Sequence, residues 1–143
     1  MQMSFYIAFL RALYLFYTNA HWLTLGAKTY QLHLLFKKLY KMTVKITDSA
    51  SEKTIGLFGK ESLDITKQNE LIFKIMSKHC SSETDLVENA ILFETAFFNV
   101  AQQIRKELKN SDKIPEYFEN FLLNVEESSA DRLSFLKNPE SIV

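Results

Sequence analysis

Apolar side chains recur every three or four residues along most of the chain. Phe5, Phe9, Leu13, Phe16 and Ala20 make the first such stripe, the spacing of one buried face of an α-helix. The stretch from Phe5 to Leu25 is apolar enough to imitate a signal peptide or a membrane span. Arg11 stands in its middle, however, and Tyr6, Tyr14, Tyr17, Thr18, Asn19 and His21 interrupt it. A span needs roughly 20 predominantly apolar residues, and a signal needs a cationic start and a small-residue cleavage site. Neither pattern is met. The expectation is a first helix, apolar nearly all round, covered by the other helices and by a neighbouring subunit.

After Leu25-Gly26 the stripe resumes as Leu32, Leu35, Leu39, Met42 and Ile46 and runs to about Gly56. This predicts a second helix of about thirty residues, roughly 45 Å long. Residues 60 to 80 read as a long connection in which Leu63 to Met76 forms a short helix. Ser82-x-x-Asp85 resembles a capping box, and the helix it opens carries Leu86, Ala90, Phe93, Phe97, Val100, Ile104 and Leu108 on one face. Asn110 to Lys113 is a polar turn. Pro115 suits the first turn of a last helix, where its missing N–H costs little, and Asn138-Pro139 ends that helix. Tyr117, Phe121, Val125, Leu133 and Leu136 form its apolar side. With three glycines and two prolines, few turns are available. The fold class is all-α, four main helices with a long connection between the second and third, in a single domain spanning residues 1–143.

Composition narrows the function classes. Hydrophobic residues at 47% exclude a disordered chain,. Cys80, the lone cysteine, makes no internal disulfide and points to a reducing, cytoplasmic setting. The net charge is zero, but Arg11, Lys28, Lys37, Lys38, Lys41 and Lys45 stand within residues 1–47 without one acidic residue. A net-neutral chain lacks the positive field that binding to nucleic acid calls for. The end of the chain, Pro139 to Val143, carries no base either, so DNA is disfavoured as a partner. No nucleophile–base arrangement, phosphate loop or zinc CxxC pattern is present, and His79-Cys80 reads as a loop pair.

The run from His21 carries the most information. His21-Trp22 is followed by Gly26, Tyr30, His33, Phe36, Tyr40, Asp48, Glu52 and Leu57-Phe58-Gly59. It resembles the Dps, or mini-ferritin, family: a His-Trp pair, a Gly four later, an aromatic four after that, a second His twelve after the first, an Asp and a Glu four apart, and a Leu-x-Gly close. That resemblance implies a ferritin-like four-helix bundle, homo-oligomeric assembly (at least a two-fold dimer, extended in that family into hollow shells), and Fe(II) binding with ferroxidase activity at a site between subunits. The implied ligands are His21 and His33 from one subunit with Asp48 and Glu52 from another. One position departs. Where the family places an acidic ligand four residues after the second His, this chain has Lys37.

The spacing bears on the same residues. His33, Lys37, Val44, Asp48 and Glu52 fall on one broad stripe at 100° per residue. His33 and Asp48 are nonetheless fifteen residues apart, roughly 22 Å along a helix, too far for one ion with bonds of about 2.0–2.2 Å. Pairing the helix with its own copy about a two-fold axis sets the His end of one against the Asp/Glu end of the other. Taken singly, His21 is a buried imidazole bonded to a backbone carbonyl, His33 a surface residue, and Asp48/Glu52 a solvated pair. Glu94, on the shoulder of the third helix, is expected to reach water. Two readings therefore stand: a Dps-like iron site, or a non-enzymatic bundle in which the Lys37 ammonium replaces the ion.

Overall fold

The computed structural model describes residues 1–139; the last four residues of the base-free end considered above lie outside the described residues. Five helices form: α1 (Gln2–Leu23), α2 (Tyr30–Phe58), α3 (Ile65–His79), α4 (Leu86–Asn110) and α5 (Glu116–Lys137). The bundle is built by α1, α2, α4 and α5, with α3 lying against α1 inside the long connection. Tyr6 meets Phe97 while Phe16 meets Phe93, so α1 and α4 run antiparallel. Arg105 pairs with Glu126 and Lys109 with Glu119, so α4 and α5 do too. A bundle with one long crossover has the topology of ferritin-like folds. Among the described residues no helix is long and apolar enough to cross a membrane.

Local chemistry sets the ends of the elements. Helix α1 begins three residues before the apolar stripe does, at Gln2. The start of α4 differs from expectation: Asp85, not Ser82, is the cap, its carboxylate accepting from the Glu88 N–H at 3.1 Å. An aspartate at this position satisfies one orphan amide of the first turn and carries the charge the helix dipole favours. Asp64 caps α3 in the same way, accepting from Lys67 at 3.0 Å. Pro115 is itself the cap of α5, immediately before its first turn. Helix α3 continues to His79, whose ring stacks on Phe93 at 5.6 Å. That residue is thus a packed helix end and not a loop residue.

Helix α1 is covered chiefly by its own chain. Met3, Tyr6, Ala8, Leu10, Leu13, Tyr17 and Ala20 are fully buried, beneath α2, α3 and α4. The all-round apolarity therefore reflects a central place in the bundle, and within α1 only Leu15, Trp22 and Leu23 present large apolar groups outward.

Glu94 departs furthest from expectation. It is fully buried. Its Oε1 accepts from Tyr17 Oη at 2.6 Å and Arg132 Nε at 2.7 Å, and its Oε2 from Ser129 Oγ at 2.7 Å and Arg132 Nη2 at 3.0 Å. Arg132, also fully buried, donates its remaining arm to Ser128 Oγ at 2.9 Å. Burial opposes the Arg132 charge, but the Glu94 carboxylate more than offsets it and holds the guanidinium above its ordinary pKa. Burial, then the same carboxylate, pushes the Tyr17 hydroxyl well up. Removing one member of such a pair leaves an uncompensated buried charge. Arg132→Ala should therefore cost about 3–5 kcal/mol, read as a fall in the urea midpoint, and Glu94→Gln/Arg132→Met should recover most of it. An Arg132→Ala protein unfolding at the original midpoint would show that the carboxylate reaches water.

Candidate metal centre

The turn between α1 and α2 places His21 and His33. Gly26 takes φ 133°, a conformation that a side chain resists. Thr24 closes α1 by donating its hydroxyl to Ala20 O at 2.9 Å and to His21 O at 3.1 Å. Thr29 reaches back to Thr24 O at 2.8 Å just before α2 begins. The two imidazoles then bond reciprocally: His21 Nδ1 donates to His33 O at 2.8 Å, and His33 Nδ1 donates to His21 O at 2.7 Å. Their rings stack with centroids 3.7 Å apart.

This geometry has a chemical consequence. A carbonyl oxygen only accepts, so both Nδ1 atoms must carry the proton. In the neutral ring that leaves Nε2 with its lone pair, the form in which an imidazole binds a metal. The carbonyl-bonded histidine and the ligand histidine are therefore compatible. Tyr40 packs edge-on to His21 at 5.4 Å and Tyr30 lies over His33 at 6.3 Å, which fixes the rings further. Both tyrosines belong to the run quoted above, but nothing in the spacing assigned them this part.

The acidic pair lies elsewhere. Helix α2 is unbroken from Tyr30 to Phe58, so Asp48 and Glu52 stand roughly 22 Å and more from His33 along its axis. Both are exposed. Lys37, one turn beyond His33, is exposed as well and has no carboxylate within salt-bridge reach among the described residues. Among the described residues, no three His, Cys, Asp or Glu side chains converge where they could hold an ion. The chain thus brings the histidines together and keeps the carboxylates apart from them. Glu94 contributes nothing here, since all its contacts go to Arg132, Ser129 and Tyr17. Neither does Cys80, whose thiol burial pushes up to about 11.

No family model matches the chain. It is, however, 30% identical over 133 residues to a protein of Nostoc sp. (strain PCC 7120) named nutrient stress-induced DNA-binding protein, covering 91% of this chain and 72% of that relative. The chain belongs to the Dps family. The helical bundle and the His21–Glu52 run agree with that membership. His21, His33, Asp48 and Glu52 are all present in the chain, and position 37 is a lysine.

The tautomer assignment is open to direct measurement. Long-range proton–nitrogen NMR on metal-free protein at about pH 8, where most imidazoles are neutral, should find both His21 and His33 protonated at Nδ1. A proton on Nε2 of either ring would remove the basis for a ligand pair.

Proposed function

We propose that the protein binds Fe(II) as a Dps-like mini-ferritin, at a site completed by a second copy of the chain. The observation that carries this is the reciprocal His21–His33 bonding, which leaves two Nε2 lone pairs at one end of α2. A mixed imidazole and carboxylate set suits iron or a similar divalent ion. Asp48 and Glu52 of the partner subunit would supply the negative charge.

The surface of α2 supports the pairing. When two copies are laid antiparallel about a two-fold axis, setting His33 against Glu52 also sets Lys37 against Asp48, Lys41 against Val44 and Tyr30 against Ile55. Tyr30 is 57% exposed and Ile55 39%, so the same register that brings ligands together covers two exposed apolar side chains. It opposes unlike charges, and the interface is self-complementary as two-fold symmetry requires.

Oxidation of Fe(II) to Fe(III), with dioxygen or a peroxide as electron acceptor, is the activity that family membership suggests. Lys37 works against it, because it removes one carboxylate and its charge repels a second ion. A second reading rests on that residue: with no acid to pair with among the described residues of its own chain, its ammonium could bridge to Asp48 of the partner subunit and stand in for the metal in a purely structural bundle. The lone cysteine fits a cytoplasmic setting for either.

Anaerobic Fe(II) or Co(II) titration separates the readings. Lys37→Asp should raise affinity by roughly ten-fold or more, equivalent to about 1.4 kcal/mol, and Glu52→Ala should abolish binding. If both variants take up metal as the unsubstituted protein does, the metal reading fails.

The Nostoc relative is named for DNA binding. Here the net charge is zero, and we expect no retardation of duplex DNA at physiological salt. Retardation that weakens steeply with added salt would contradict this.

A further inference from the structure

Among the described residues of the five helices, Phe73 of α3 is the most exposed large apolar side chain, at 73%. It follows Ile72, which together with Leu15 of α1 and Val44 and Thr47 of α2 walls a cavity of about 420 Å³. Leu15 and Val44 are themselves exposed, so an apolar patch surrounds a hollow where three helices meet. Polar groups beside it turn to their own chain. Thr47 donates its hydroxyl to Thr43 O at 2.7 Å, and Arg11 donates from Nη1 to Gln68 Oε1 at 3.3 Å. The hollow thus offers an occupant mainly aliphatic surface.

The patch lies where a second copy would pack. Setting His33 against Glu52 puts the two-fold axis midway between residues 42 and 43 of α2, and Val44 and Thr47 lie within about 7 Å of that axis along the helix. A two-fold that lays two helices face to face and antiparallel leaves the same flank of each on the same side. The α1–α3 flank of one copy therefore meets the α1–α3 flank of the other, with their cavities opposed near the axis. The α2 stripe by itself is a narrow seam in which Lys37, Lys41, Asp48 and Glu52 outnumber the exposed apolar groups Tyr30, Val44 and Ile55. A stable interface has an apolar core and buries about 1,000 Å² or more, which that seam does not supply.

We infer that Phe73 of each copy enters the cavity of its partner, so that α1 and α3 supply the apolar core of the two-fold dimer. An aromatic anchor seated in a pocket carries much of such an interface's affinity, and one such side chain removes roughly 150–250 Å² from water. The contact is reciprocal, as the symmetry demands. It rests on the intersubunit register of the metal reading but needs no ion.

Sedimentation velocity on the full-length, chelator-treated protein tests it. The unsubstituted chain should associate at micromolar concentration. Phe73→Glu should raise the dissociation constant roughly 100-fold or more with an unchanged circular dichroism spectrum, and Phe73→Leu should fall between the two. A benzophenone photo-crosslinker in place of Phe73, mixed with isotope-labelled unsubstituted chain, should attach to Leu15, Val44 or Ile72 of the labelled chain. Co(II) titration of the same samples keeps the two readings apart. If Phe73→Glu dissociates while the associated unsubstituted chain binds no Co(II), this contact stands and the metal site falls. Co(II) binding that Glu52→Ala abolishes, in a Phe73→Glu protein that still pairs, means the reverse. The inference is overturned if Phe73→Glu associates as the unsubstituted chain does, if the unsubstituted chain is a monomer, or if the crosslinks reach a different surface or, in cell extract, an unrelated protein.

Discussion

An ionised carboxylate in the middle of a helical bundle costs several kcal/mol unless its charge is matched and its lone pairs are filled. Glu94 meets both conditions through Arg132, Ser129 and Tyr17, which come from α5 and α1. Three of the four bundle helices are thereby fixed against one another at a single level. Tyr17 lies one helical turn before His21, so the same contact positions the end of α1 from which that imidazole projects. The pair also fills the interior. Ferritin-like bundles can house metals among inward-facing carboxylates, but Glu94 is already saturated by an organic cation. The proposed divalent-ion site lies instead along the outer stripe of α2.

That stripe is governed by two constraints of opposite kind. The α1–α2 turn is tightly determined: Gly26 supplies a backbone angle that other residues resist, two threonines tie off loose carbonyls, and each histidine bonds the other's backbone. The length of α2, by contrast, holds the carboxylates far from the imidazoles, because an unbroken helix cannot shorten. One chain therefore keeps its paired histidines and its two carboxylates at separate places along α2. Trp22, Leu23, Leu25 and Tyr30 are all more than half exposed around the histidine end, an apolar rim of the kind that marks an interaction surface.

Much of this was legible in the sequence, for identifiable reasons. Helical periodicity and the scarcity of Gly and Pro gave the four bundle helices and the long crossover, and the His21–Glu52 run carried the family. The 22 Å separation followed from helix geometry alone. What escaped was three-dimensional pairing. Glu94 beside Phe93 looked like a shoulder residue, and Arg132 drew no notice, although a lone acid and a lone base each next to an apolar face are the signal of a buried pair. The covering of α1 was credited partly to a neighbour because a one-dimensional pattern does not say which chain does the covering. Ser82 and Asp85 both suit a cap, and spacing alone did not separate them. That His21 and His33 each bond the other's backbone carbonyl through Nδ1 needed the two bond distances.

The central claim, that each metal site draws its histidines and its carboxylates from different chains, is tested most directly by mixing two defective proteins. One would carry His21→Ala/His33→Ala and the other Asp48→Ala/Glu52→Ala, refolded together and separately, with Co(II) binding followed spectroscopically. Neither should bind alone. In a mixed pair the intact histidines of one subunit would face the intact carboxylates of the other, giving one working site and, after statistical mixing, about a quarter of the unsubstituted capacity. A mixture that binds no more than its separate components would contradict the shared site.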